Sequence, residues 1–226
     1  MSSSPIKEKV TRLLDELPPG VELEAACKKR SVTEIEAAVA AGVRLLGQNY
    51  IQEARETVGK VSNPGSGEIK WHFIGHLQRN KAKKAVELFD MIESLDSLRL
   101  ARKLNKEGKK AGKTVSCLVE INSGREENKY GIMPGDAVEF VRSVAELNFI
   151  KIEGLMTMGP FAGSPEDFRP YFKTTKKIFD KLQNDPPQNC EMKYLSMGMS
   201  ASYRTAVEEG ANIVRVGTKL FGPRES

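Results

Sequence analysis

Short apolar runs alternate along the chain with longer stretches in which apolar positions recur every three or four residues, and brief polar turns separate the two. The first pattern suits a strand buried on both faces and the second a helix with one buried stripe, so the alternation reads as repeated βα units of an α/β fold. After a first helix over 6–17, candidate strands fall at 21–27, 44–47, 71–74, 91–94, 115–122, 150–158, 194–197 and 213–216. Eight parallel strands with helices between them close into a (β/α)8 TIM barrel, and the leading helix is then an additional N-terminal element.

The intervening helices carry start signals with a physical cause. Ser31-Val-Thr-Glu34 predicts a capping box, in which hydroxyl and carboxylate meet free backbone donors, ahead of Ile35, Ala38 and Val39 on one apolar face; Gly42 then stops the helix. Ser164-Pro165-Glu166-Asp167 supplies an N-cap, a proline at the first helical position and acids against the helix dipole. Phe168, Tyr171 and Phe172 follow at helical spacing and read as helix-to-barrel packing.

At 226 residues the chain suits one barrel domain over 1–226. Hydrophobic residues at 39% and charged residues at 29% are ordinary for a globular chain, and no stretch approaches the roughly 18 uninterrupted apolar residues of a membrane helix. The start, Met1-Ser-Ser-Ser-Pro-Ile-Lys, does not resemble a secretory leader, so the expected location is cytoplasmic. Cys27, Cys117 and Cys190 are an odd number at wide spacing, which fits neither a disulfide framework nor a CxxC metal site. A formal charge of +5 raises the question of nucleic acid, but the basic runs at 79–84 and 106–113 lack interleaved aromatics and read as solvated helix faces. Neither a nucleic-acid nor a membrane partner is expected.

In barrels of this kind functional groups gather at the carboxyl ends of the strands, with a phosphate site formed by the loops after strands 7 and 8. Tyr194-Leu-Ser-Met-Gly-Met-Ser200 leaves strand 7 and predicts a helix over 201–209 with Ser200 as N-cap; Gly198 lets the backbone approach closely, and the helix start presents free amides to an anion. Gly217 and Thr218 end strand 8 beside it. Ordinary tight turns with a capping serine explain the same letters without a ligand. Arg215 interrupts the apolar strand Ile213-Val-Arg-Val216, and a buried guanidinium requires an acceptor, either a carboxylate or a ligand. Strand 1, the neighbour of strand 8 in a closed barrel, ends at Ala25-Ala-Cys-Lys28-Lys29-Arg30. An amine at that mouth attacks a carbonyl only when deprotonated, which desolvation and nearby cations such as Arg30 and Arg215 favour. Otherwise it is a solvated surface charge.

Several stretches together resemble one family: Gly47-Gln-Asn-Tyr-Ile-Gln-Glu53, Lys70-Trp-His-Phe-Ile-Gly-His-Leu-Gln78, Gly124-Arg-Glu-Glu-Asn-Lys-Tyr-Gly131, Gly154-Leu-Met-Thr-Met158, Ser196-Met-Gly-Met-Ser200 and Val214-Arg-Val-Gly-Thr218. Over nearly its whole length the chain resembles the pyridoxal phosphate homeostasis proteins, whose barrel is similar to the N-terminal domain of alanine racemase. The resemblance implies that pyridoxal 5′-phosphate is held as a Schiff base on Lys28, rather than on Lys29. It further implies that Ser200, Gly217 and Thr218, with nearby amides such as that of Met199, bind the phosphate, that Arg215 faces the pyridine nitrogen, and that Asn49 lies near the ring. Cys27 stands where the family usually has serine, Arg30-Ser31 where it has lysine-proline, Gln48 where glutamate is usual and Ser202 where aspartate is common. Strand 1 also carries Glu22 and Glu24, which alternate and so are expected on one outer face.

A cation at the pyridine nitrogen disfavours ring protonation, which suits a carrier or buffer of the cofactor better than carbanion chemistry. The expected function is therefore a non-catalytic contribution to intracellular cofactor homeostasis, with apoenzymes that accept the cofactor as partners. The alternative is a small racemase-like amino-acid enzyme with Lys28 as base. The last strand falls close to Ser226, so the second, β-rich domain that alanine racemases carry is not expected here. A monomer is expected. His72 in mid-strand reads as structural and His76 as nearer the mouth; no other histidine or cysteine lies at ligand spacing, so no metal site is expected.

Overall fold

The strands are short, inward and outward side chains alternate along each, and all run parallel. In the structure, a computed structural model that describes residues 5–63, 67–160 and 163–223, they are β1 (Glu22–Ala26), β2 (Leu45–Gln48), β3 (Lys70–Phe73), β4 (Met91–Leu95), β5 (Val115–Glu120), β6 (Ile150–Met156), β7 (Cys190–Ser196) and β8 (Ile213–Val216). They pair in sequence order, and β8 returns to β1 with Arg215 opposite Glu24 and Val216 opposite Ala25, closing the barrel. The helices are α1 (Pro5–Glu16), α2 (Val32–Ala40), α3 (Ile51–Thr57), α4 (Ala82–Leu88), α5 (Leu98–Ala111), α6 (Ala137–Ala145), α7 (Arg169–Asn184), α8 (Tyr203–Glu208) and α9 (Thr218–Phe221). The opening tetrapeptide, read above as lacking a leader, lies outside the described residues.

Outward-facing Leu23, Ala25, Leu46, Trp71, Phe73, Ile92, Cys117, Val119, Leu195, Val214 and Val216 form one buried layer with the inner faces of the helices. Burying each large side chain there is worth about 1.5–3 kcal/mol, which is what holds the helices on the barrel. Phe168 and Phe172 belong to this layer, with ring centroids 6.1 Å apart, as their spacing predicts. Inside the barrel the apolar filling is small: Met91, Leu118 and Met156 with Tyr194 packed against them. TIM barrels ordinarily fill this space with layers of branched apolar residues. Much of the remaining space here holds polar and charged groups, among them Glu24, His72, Glu93, Ser196 and Arg215.

That corrects the expectation for β1. Glu24 is fully buried and lies 3.3 Å from His72, and Glu22 lines an inner cavity with His72, so both acids face the barrel axis rather than the outside. The alternation was read correctly and its direction was not, because in a barrel the helix-covered outer face is the more apolar one.

Capping follows the sequence closely. The Ser31 Oγ accepts from the Glu34 amide at 3.3 Å and the Glu34 carboxylate accepts from the Ser31 amide at 2.9 Å, while Gly42 takes φ +116°. Asp167 likewise accepts from the Ser164 amide and hydroxyl at 2.7 and 2.8 Å. The turn after β7 differs. The Ser202 and Tyr203 amides both donate to the Met199 carbonyl at 2.9 Å, so the chain makes an extra turn before α8 and Ser202, not Ser200, is the cap residue. Strand β7 also begins four residues before the expected 194, its start concealed by the polar Glu191 and Lys193.

One close approach fixes the β6–β7 register. Gly154 has φ +149°, and a Cβ there would lie 1.8 Å from the Tyr194 carbonyl oxygen, a backbone atom of the neighbouring strand. Gly154→Ala is expected to lower stability by about 3 kcal/mol or more, measured by urea unfolding, because neither strand can yield without breaking the ladder.

Candidate functional site at the barrel mouth

The site is assembled where strands end. After β1, the Arg30 amide donates to the Cys27 carbonyl at 3.0 Å, closing a tight turn in which Lys29 adopts φ +57°. Glu53 of α3 pins this turn by accepting from the Lys29 amide at 2.9 Å. The turn sends the two lysines apart: Lys29 is exposed, whereas Lys28 is half-buried with its Nζ 4.9 Å from the centroid of the Tyr50 ring. Tyr50 and half-buried Asn49 follow β2 directly, so the end of β2 flanks the Lys28 amine.

Arg30 is not a free cation beside that amine. It pairs with Glu34 at 3.1 Å, donates to the Gly222 carbonyl and stacks on Phe221, tying the β1 turn to the segment after α9. Cys27 faces the helices, its Sγ 3.1 Å from the Ala25 carbonyl, and burial raises its thiol far above the usual range. Gln48 also turns outward, donating to Thr57 of α3 at 3.3 Å. Neither residue reaches the mouth.

The β7 and β8 ends lie side by side. The Ser200 Oγ accepts from the Lys219 amide at 3.3 Å, joining the two loops, and the Ser202 hydroxyl accepts from the Met199 amide at 3.2 Å, the service an aspartate would provide. Gly198 at φ +90° is demanded by packing, since a Cβ would meet Ala206 at 2.5 Å. Gly217 is different: a Cβ there would lie 3.4 Å from Ala26, an ordinary contact. The fold does not require glycine at 217, and its bare backbone faces the same mouth as Thr218 and Lys28.

Arg215 is buried, and its acceptors are protein groups. It donates to the Ser196 hydroxyl at 2.6 Å and to the Thr157 carbonyl at 2.7 Å, reaches Met158 Sδ at 3.6 Å, and stands 3.9 Å from Glu93. Ser196 in turn donates to Glu93 Oε2 at 2.6 Å, and His72 Nδ1 lies 2.8 Å from Glu93 Oε1. A polar column thus descends from the mouth: Arg215, Ser196, Glu93, His72, Glu24. Burial acts against charge on His72, yet Glu24 and Glu93 push it up to about 10; burial, reinforced by Glu93, raises Glu24 to about 7. His72 is hydrogen-bonded in mid-strand, as expected, and lies between two carboxylates that favour its charged form. His76 is at the rim, 3.0 Å from Asp96 and stacked on Tyr130 at 3.6 Å between centroids.

Sequence reasoning missed Ser196, Thr157, Glu93 and Glu120. A signal existed for three of them, because polar letters at inward parity of a barrel strand report the axis. Glu120 ends β5, and burial, helped by the Asp96 charge, raises its carboxyl to about 7. A folded value above the unfolded one means stability is fully present below about 4.5 and falls as pH rises toward about 7. Glu120→Gln removes that loss, so at pH 8 the variant is expected to exceed wild type by up to about 3 kcal/mol while matching it near pH 4, measured by denaturant unfolding at both values.

A sequence profile of the family described as alanine racemase, N-terminal domain, matches residues 3–225. The pyridoxal phosphate homeostasis protein of Aquifex aeolicus is 39% identical over 184 residues, 81% of this chain and 78% of the relative; the human protein of that name is 36% identical over 235 positions, 97% and 83%. The chain belongs to the pyridoxal phosphate homeostasis protein family. Among solved members, PipY of Synechococcus elongatus with pyridoxal phosphate bound superposes with a TM-score of 0.86 at 34% identity, covering 96% of this chain and all of that one. Alanine racemase of Clostridium difficile shares the fold, with a TM-score of 0.79 at 20% identity over 98% of this chain and 57% of its own. No helix among the described residues is long and apolar enough to cross a membrane.

Proposed function

We propose that this family member binds pyridoxal 5′-phosphate as a Schiff base on Lys28 and acts as a non-catalytic carrier or buffer in cofactor homeostasis, delivering it to apoenzymes. The observation that carries the reading is the placement of Lys28 at the end of β1, half-buried and aimed over Tyr50, beside the bare Gly217 backbone and Thr218 at the end of the paired strand β8. When bound, the cofactor supplies an aldehyde with which an amine condenses. Lys28 provides that amine, Ser200 and Thr218 with the Gly217 backbone provide phosphate contacts, the Met199 amide joins them only by leaving the Ser202 hydroxyl, and Asn49 lies beside the ring. Arg215 offers only donors and a positive charge, so a pyridine nitrogen against it stays unprotonated and draws electrons weakly. That polarity supports retention over turnover.

Titrating the purified protein with pyridoxal phosphate should give a saturable visible absorption band at one equivalent, and the loaded protein should restore activity to an apoenzyme that needs the cofactor. Exchange of the α-hydrogen of amino acids with solvent deuterium should remain at the rate of the free cofactor. Exchange accelerated well above that rate, and lost in Lys28→Ala, would replace the carrier reading with the racemase-like one.

A further inference from the structure

We propose that Glu24, His72 and Glu93 form a binding site for one divalent transition-metal ion inside the barrel, beneath Arg215. Their candidate donor atoms, one from each residue, all lie within 4.8 Å of one another, and all three residues are buried. A first-row ion with bonds of about 2.0–2.2 Å sets its ligand atoms roughly 3–4 Å apart, so little movement closes the set around an ion.

The site has an unmet demand. Glu93 Oε1 is 2.8 Å from His72 Nδ1 and its Oε2 accepts from Ser196, so Glu93 is satisfied and held in place. Glu24 Oε1 also approaches His72 Nδ1, at 3.3 Å, but that nitrogen carries a single hydrogen, already directed at Glu93. Both Glu24 oxygens are buried without a hydrogen-bond partner. A carboxylate in that state costs several kcal/mol, and a cation bound between the two carboxylates removes the cost.

The surroundings are shaped for this arrangement. Between β1 and β3, β2 places Gly47, where a Cβ would lie 3.1 Å from the Glu24 carboxyl carbon and oxygen and 2.8 Å from Ile74. Absence of a side chain at Gly47 is what lets Glu24 meet His72 across the intervening strand. From the other end of the barrel a polar cavity of about 270 Å³ reaches His72 between Glu22, Lys70, Asp90 and Glu153, a route to the site that bypasses the mouth. The donor set selects the ion class: one imidazole with two carboxylates suits zinc, iron or manganese, whereas magnesium and calcium favour all-oxygen shells. Two carboxylates neutralise a divalent charge, and Ser196 keeps Glu93 Oε1 turned toward His72. The three ligands come from three different strands, which explains why no spacing in the sequence announces them.

The test uses full-length, chelator-treated protein without pyridoxal phosphate, so it stands apart from the carrier reading. Calorimetric titration with Zn²⁺ should show one tight site, weakened at least about a hundredfold by Glu24→Gln or His72→Gln and unaffected by His76→Ala. Zinc-edge anomalous diffraction from Zn²⁺-soaked wild-type crystals should place a single peak between Glu24, His72 and Glu93, which decides the matter even if a variant fails to fold. Absence of stoichiometric binding, a peak elsewhere, or binding that survives in folded Glu24→Gln protein overturns the proposal.

Discussion

Replacing Lys28 with alanine is expected to abolish the visible absorption band that wild-type protein develops with pyridoxal phosphate, while Lys29→Ala leaves the band in place. The two lysines are adjacent in sequence and opposite in environment. Lys29 sits in the left-handed region with its amide held by Glu53 and its side chain in solvent, so its amine has no fixed position relative to the β8 loop. Lys28 is half-buried and its ammonium rests against the Tyr50 face, a contact worth about 0.5–2 kcal/mol to the charged form and a means of aiming the side chain. Loss of the covalent link leaves phosphate contacts intact, so Lys28→Ala protein should still bind, with affinity lowered at least about a hundredfold, or about 2.7 kcal/mol. Equilibrium dialysis measures the second effect and absorbance the first.

Arg215→Leu is expected to cost about 3–5 kcal/mol of stability, a fall in Tm of roughly 10 °C for a chain of this size. The guanidinium is hydrogen-bonded to the buried Ser196 hydroxyl and stands against Glu93, in an interior that also holds Glu24, His72 and, at the end of β5, Glu120. Without it two buried carboxylates face a single imidazolium. Leucine replaces the aliphatic part of the side chain but not the guanidinium, so the loss combines uncompensated charge with the buried space the guanidinium leaves. Adding Glu93→Leu to the same chain should recover part of the deficit, because it removes the stranded partner together with its cation. Thermal unfolding of the two single variants and the double variant measures the coupling directly.

Much of this architecture was legible in the letters. The alternation of apolar runs and helical stripes placed all eight strands, and the Ser31–Glu34 box and the Ser164–Asp167 pair form the hydrogen bonds their residue types predict. What could not be read was direction. Glu22 and Glu24 announce a face, but only barrel closure decides that it is the axial one. The cap at Ser202 rather than Ser200 depends on two amides sharing the Met199 carbonyl, a local competition invisible in a string containing both serines. Arg215 does need an acceptor, but a carboxylate or ligand was expected and its hydrogen bonds go instead to the Ser196 hydroxyl and the Thr157 carbonyl, with Glu93 3.9 Å away, because strands far apart in sequence become neighbours. The polar column is a tertiary property in the same sense, since its members come from β1, β3, β4, β7 and β8.

The most direct measurement is peptide mapping after borohydride reduction of protein saturated with pyridoxal phosphate. A single stoichiometric adduct on Lys28 is the predicted result, because that amine is half-buried just past the end of β1, the strand paired with β8, which leads into Gly217 and Thr218. Adducts spread over exposed lysines, or one confined to Lys29, would contradict it and detach the cofactor from the end of β1.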